Sequence, residues 1–121
     1  EQALTLDDYC AAQHLLVSFS GRPLGLMDQA LAAFGRRRHI VLTVNQFFTA
    51  GRLVMQSDLL TVLPARFVPA TGYAQHLVTR DLPFAMETVS VQMLWPLRLD
   101  VDPGQRWMRE HLLRAATRDD A

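Results

Sequence analysis

Lysine is absent from the 121 residues, so all 12 basic side chains are arginines. That excludes a phosphate-cradling G-x-x-x-x-G-K-[ST] loop outright. Only one cysteine is present, Cys10. An internal disulfide and a C-x-x-C metal or redox pair are therefore impossible, and a reducing, cytoplasmic compartment is expected. No apolar run reaches the length of about 18 residues that a membrane-spanning helix needs. An excess of either charge is also missing, because the 12 arginines face 12 acidic residues. Phosphate affinity comes mainly from clustered positive charge, so a neutral chain is a poor nucleic-acid binder on its own. G-x-G-x-x-G and G-x-S-x-G do not occur, which removes the dinucleotide fingerprint and the nucleophile elbow. What is present is an ordinary globular balance, 50% hydrophobic and 20% charged, in a length suited to one domain or part of one.

The hydrophobic pattern alternates between short runs and amphipathic stretches. Residues Glu1 to Gln13 are mixed. His14-Leu15-Leu16-Val17 is a short run that does not alternate, as expected of a strand buried on both faces. Ser18 to Pro23 reads as a loop. Leu24, Met27, Leu31 and Phe34 recur at helical spacing, and Gly35 closes the pattern as a C-terminal cap. Ile40-Val41-Leu42-Thr43-Val44 is the strongest strand by β-branched content. Asn45 follows as an expected N-cap for a helix through Phe47, Phe48, Gly51, Val54 and Met55. Leu59 to Leu63 is a further strand ended by Pro64, and Ala65 to Tyr73 a short helix interrupted at Pro69. Extended runs are predicted over Leu77 to Leu82 and Glu87 to Trp95. Asp102-Pro103-Gly104-Gln105 then starts a helix to about Arg118, with Asp as N-cap and Gln in the capping-box position. Strands alternating with helices predict an α/β domain with a mainly parallel sheet.

Catalytic and metal chemistry find little support in this pattern. His14, His39, His76 and His111 are scattered and form no H-x-x-x-H pair, so no metal site is expected. Cys10 lacks any local signature of a base and orienting group, and reads as a small buried thiol. Asp102 is explained as a cap, so Asp100 and Asp102 are not read as a catalytic pair. Arg36-Arg37-Arg38 falls at a helix C-terminus, where cations suit the dipole, and reads as a solvated helix end. No catalytic residue and no cofactor are expected. Binding is better supported, because ligands of open α/β sheets bind outside the carboxyl ends of the strands. Two such ends are visible: Ser18, Phe19 and Ser20 after the first strand, and Val44, Asn45, Gln46 and Phe47 after the second. At the second junction the free N–H groups and positive dipole of a helix start suit an anion, and Phe47 suits a flat ring. The expected ligand class is a small aromatic carboxylate.

The stretch from Gly35 through Ile40–Val44, Phe47 and Leu53-Val54 to Ser57-Asp58-Leu59-Leu60 and Leu63-Pro64 resembles the effector-binding domain of LysR-type transcriptional regulators. Trp95-x-x-Arg98-x-x-x-Asp102-Pro103, followed by Trp107 and Arg109, is similar to that family's final strand and C-terminal helix. The likeness is strongest to the branch containing nodulation and aromatic-degradation regulators. Pro96 departs from it, standing where the family often has His. The resemblance implies a three-layer fold like type 2 periplasmic binding proteins, built from two subdomains. Residues 1–84 would be the second subdomain. Residues 85–121 would be a returning strand and terminal helix belonging to a first subdomain that is mostly absent.

The function implied is that of a non-enzymatic, inducer-sensing fragment of a bacterial transcription regulator. A small-molecule effector would occupy the cleft between subdomains, with Ser18, Phe19, Ser20, Val44, Asn45, Gln46 and Phe47 on one wall. The resemblance also implies a homo-oligomer, and contact with DNA only through a helix-turn-helix domain absent from this chain. The alternatives are a periplasmic solute-binding protein of the same fold and a small α/β enzyme using Cys10 or acidic residues. The charge balance makes a prediction of its own. The isolated chain should give no sequence-dependent gel shift with operator DNA at about physiological salt, and sub-micromolar sequence-dependent binding would refute this.

Overall fold

A computed structural model of the chain describes residues 2–118. They fall into two compact units, the first ending at Glu87 and the second starting at Thr88.

The first unit begins with helix α1, Leu6–Ala11, in the stretch the hydrophobic pattern left undefined. Its start is set by Thr5, whose hydroxyl accepts from the Asp8 N–H at 3.1 Å. Asp7 and Asp8 place negative charge at the positive end of the helix dipole. Strand β1, Gln13–Val17, follows at once. Helix α2, Leu26–Ala33, then crosses to strand β2, His39–Val44. As anticipated, α2 ends at a glycine. Gly35 takes a φ of 65°, and the N–H groups of Gly35 and Arg36 donate to the carbonyls of Ala32 and Leu31, both at 3.0 Å. This is the paired closure of a Schellman motif, which favours a residue without a Cβ.

β1 and β2 pair in parallel, from Gln13 opposite His39 to Val17 opposite Val44, with a register irregularity between His14 and Leu15. On the other edge of β1, the Leu15 N–H donates to Leu60 at 2.8 Å and the Leu60 N–H to Gln13 at 3.0 Å. The spatial order therefore places β1 in the middle. The strand expected over Leu59 to Leu63 shrinks to this one parallel bridge, His14 with Leu60. The reason is local: the Thr61 hydroxyl donates to the Leu15 carbonyl at 3.0 Å, occupying the acceptor that the next ladder bond would use. Pro64 then has no N–H to offer. Helix α3, Phe47–Met55, packs against β1 and against the 3₁₀ turn Pro69–Thr71. The approach is close at Gly51, where a Cβ would stand 3.0 Å from the Thr71 Cβ. The helix expected from Ala65 to Tyr73 is realised as two 3₁₀ turns, Ala65–Phe67 and Pro69–Thr71.

The core of this unit mixes apolar and polar groups. Tyr9, Leu15, Leu31 and Ala50 are buried beside His14 and Arg38. Arg38, expected in a solvated cluster, instead has a side chain only 1% exposed. Its guanidinium grips Asp28 in a bidentate pair, Nε to Oδ1 at 2.9 Å and Nη2 to Oδ2 at 3.1 Å. Nη1 donates to the Tyr9 hydroxyl at 3.2 Å. Asp28 also accepts from the Gly25 N–H at 2.8 Å, which caps the start of α2. Burial pushes the Asp28 carboxyl up, but the hydrogen bonds from Arg38 and Gly25 outweigh it and hold it below the usual carboxylate range. Arg36, by contrast, reaches the exposed Asp7 at 2.6 Å near the surface.

In the second unit, residues 88–96 form no ladder, so the strand expected over Glu87 to Trp95 is not formed among the described residues. Leu77 to Leu82, in the first unit, likewise forms no strand. A strand is stable only where a neighbour takes its backbone groups. A 3₁₀ turn, Leu97–Leu99, leads into helix α4, Pro103–Thr117. Its start follows the expected cap: Asp102 Oδ1 accepts from the Gln105 N–H at 2.8 Å, and Pro103 fills the first helical position. The tryptophan–arginine motif is a local clamp. Arg109 lies 4.4 Å from the Trp95 ring centroid and donates to the carbonyls of Leu99 and Asp100 at 3.3 and 2.8 Å. The Trp95 indole N–H donates to Asp100 Oδ1 at 2.9 Å.

The Asp28–Arg38 geometry sets an expectation for stability. Arg38→Met should lower the unfolding free energy in urea by about 3 kcal/mol, because it strands a half-buried carboxylate and the Tyr9 hydroxyl. Arg36→Ala should leave the urea midpoint essentially unchanged, since its partner is exposed and screened. Equal effects of the two substitutions would refute this account of the core.

Candidate functional site

β1 ends at Val17 and β2 at Val44, paired to each other, so the loops that follow leave the sheet side by side. The Ser18 N–H donates to the Val44 carbonyl at 2.7 Å and ties the two exits together. Ser18 is buried, with its hydroxyl 3.4 Å from that of Ser20. Gly21 takes a φ of 73°, which turns the chain back towards α2. Across the junction, the Phe19 and Phe47 rings meet edge to face, with centroids 5.8 Å apart. The aromatic contact continues from Phe47 to Phe67 at 5.1 Å, and from Phe67 to Phe48 at 4.9 Å. Phe19 is 77% exposed and Phe48 57% exposed, an unusual exposure for residues of this size.

One sequence expectation is corrected here. Gln46, not Asn45, is the N-cap of α3, and its side chain makes no capping hydrogen bond. β2 ends at Val44, where the sequence pattern put it, and the helix begins one residue later than expected, from Gln46, so Asn45 is an exposed linker residue. The first-turn N–H groups of α3 are consequently left without a side-chain cap at the same end of the sheet as Ser18 and Phe19.

A concavity of about 410 Å³ adjoins this junction on the side of α2. Ser18, Phe19 and Ser20 line it, together with Leu16, Met27 and Val62. Val44, Asn45, Gln46 and Phe47 lie outside its lining and reach it through the Ser18–Val44 bond and the Phe19–Phe47 ring contact. Sequence reasoning missed Leu24 and Met27, whose helical spacing assigned them to an amphipathic helix, and Gly25, which carried no signal. It also missed Arg38, which lies against the cavity with its charge already matched by Asp28. The wall is largely apolar and includes a hydroxyl pair, which suits the holding of a small organic ligand. His14 lies in the core and His39 is exposed at the start of β2. Among the described residues no three of His, Cys, Asp or Glu gather in a way that could hold a metal ion.

Parallel pairing, a crossover helix and ligand-sized space at the strand carboxyl ends define a periplasmic-binding-protein-like α/β domain. The LysR substrate binding domain profile matches residues 1–117, and the chain belongs to that family. It is 27% identical over 109 residues to the HTH-type transcriptional activator NahR of Pseudomonas putida, a match covering 90% of this chain and 36% of NahR. It is 27% identical over 119 residues to Nodulation protein D 3 of Rhizobium leguminosarum bv. phaseoli, covering 98% of this chain and 39% of that one. The chain thus spans little more than a third of the length of these curated relatives. The crystal structure of the regulatory domain of MexT, a transcriptional activator in Pseudomonas aeruginosa, superposes with a TM-score of 0.81 at 40% identity. That superposition covers 90% of this chain and 55% of the MexT domain.

Proposed function

We propose that this chain is the effector-binding part of a LysR-type transcriptional regulator and presents one wall of a small-molecule site. The observation that carries the reading is the meeting of the two strand exits, Ser18–Ser20 and Val44–Phe47, beside the concavity of about 410 Å³. The relatives are transcriptional regulators, which favours this reading over a transport solute-binding protein. Its role is binding rather than catalysis. An effector that fits an open and a closed state of the cleft unequally would shift their populations and so the arrangement of attached DNA-binding domains. Any contact with DNA would come from a helix-turn-helix outside this chain.

The effector class we infer is a small aromatic carboxylate. The uncapped first turn of α3 offers N–H donors and a positive dipole end to the carboxylate. Phe47 and Phe19 offer ring edges and faces to an aromatic body. Benzoate is the simplest probe of that class. Titrated into the protein, it should move the amide resonances of residues 18–20 and 44–47 before any others. Phe47→Ala should weaken its binding about tenfold, the loss of one aromatic contact of about 1.4 kcal/mol. Unchanged affinity in Phe47→Ala with the fold intact would remove this junction from the effector site.

We further infer that the chain self-associates. Trp107, Met108 and Leu112 are at least half exposed on α4, beside an exposed Trp95, and apolar surface of that kind favours association. Light scattering should give a mass of at least two chains at high concentration, and a clean monomer there would refute it.

A further inference from the structure

His14 stands out among the core residues because its burial is complete while its hydrogen bonding is not. It is 0% exposed in the middle strand β1. Nε2 lies 2.6 Å from the Tyr9 carbonyl, which only accepts, so Nε2 carries the ring proton. Nδ1 is then a bare acceptor, buried and without a hydrogen-bond partner among the described residues. The ring also packs on that of Tyr9, with centroids 4.6 Å apart. The irregular register between His14 and Leu15 falls at this residue.

We propose that His14 is a proton-operated latch on helix α1: one solvent proton taken up at Nδ1 expels the ring from its site and releases α1 from the sheet. Protonation turns the bare acceptor into a donor with nothing to receive it, and adds a cation to a buried cluster that already holds Arg38. The charged and titratable groups around it supply no counter-ion. From α1 come the Tyr9 hydroxyl, already taking an Arg38 N–H, and Cys10, next in the helix. Asp7 of α1 is engaged by Arg36. From α2 comes Asp28, whose two oxygens are occupied by Arg38 and the Gly25 N–H. The chain entering β2 supplies Arg38 itself, with His39 opposite Gln13 rather than His14. The Leu60 segment brings backbone, and Phe84 brings an apolar ring whose centroid is 5.4 Å from that of Tyr9. Helix α1 is affected first because its hold on the sheet runs largely through Tyr9, which supplies both the carbonyl and the ring that His14 meets.

Burial lowers the His14 value below the ordinary 6.5, more than its bond to Tyr9 raises it. A histidine whose folded value is depressed binds its proton more readily when released. The latch is therefore fully closed above pH 6.5 and loosens as pH falls from there through the folded value. Between pH 7 and 5 Asp28 stays ionised, because its own value lies below the usual carboxylate range. The device stands apart from the effector reading and does not depend on it.

Amide hydrogen exchange tests it, with rates corrected for intrinsic pH dependence and α3 as the internal reference. Between pH 7 and 5 the opening of α1 should rise relative to α3, by at most about tenfold per pH unit, the slope of a single proton. His14→Gln keeps an amide donor for the Tyr9 carbonyl but cannot take the proton, and should flatten the profile. If that variant does not fold, a ¹⁵N titration of the wild-type ring decides: its midpoint should lie below 6.5 and coincide with the opening of α1. A flat α1 profile, an unchanged slope in His14→Gln, or a ring midpoint at or above 6.5 would overturn the proposal.

Discussion

The ion pair between Asp28 and Arg38 joins the entry of α2 to the start of β2 and, through the Tyr9 hydroxyl, both to α1. Few apolar side chains are fully buried in this unit, so a fork of charge-assisted bonds does work that a larger core would do by packing. Arginine suits the position because its planar donors satisfy a carboxylate and a hydroxyl at once, which a lysine could not. The same carboxylate caps α2 through the Gly25 N–H, so one acidic group both starts the crossover helix and neutralises the buried cation. Pairing of this kind carries a desolvation penalty, and its value here lies as much in fixing where α1, α2 and β2 meet as in net stability.

That fixed meeting point positions the candidate site. Arg38 lies against the concavity yet contributes little free charge, because Asp28 has already claimed it. What the lining of the concavity presents is aliphatic surface, the exposed Phe19 ring and two serine hydroxyls, with the start of α3 outside it. The likeness to the MexT regulatory domain covers 55% of that domain.

The elements most legible in the sequence were those governed by local physics. The β-branched run Ile40–Val44, the glycine closing α2 and the Asp102-Pro103 start of α4 each depend on neighbours within a few residues, and each is found where the pattern put it. The family was legible for a related reason, since its motifs lie in those same segments. Helix α1 escaped notice although Thr5 and Asp8 carry a capping signal, because six residues are too few to show helical periodicity. Asn45 was placed one residue early as the cap, since Asn, a strong capping residue, precedes Gln, a weak one. The helix instead opens at Gln46, whose carbonyl accepts the Ala50 N–H at 3.4 Å.

By itself, then, the sequence determined an α/β chain with parallel pairing, a neutral charge, no lysine chemistry and a LysR-type pattern, because composition and periodicity act locally and survive without a partner. Only the tertiary structure decided which arginine of three is buried, where a strand finds its ladder and where it does not, and which residues face the concavity. Those outcomes depend on contacts between residues far apart in the chain. Arg38 meets Tyr9 across 29 positions, and Thr61 reaches Leu15 across 46. No pattern of neighbours records such pairings; they follow from the way β1 is flanked on both sides and from the polar groups that burial leaves to be satisfied.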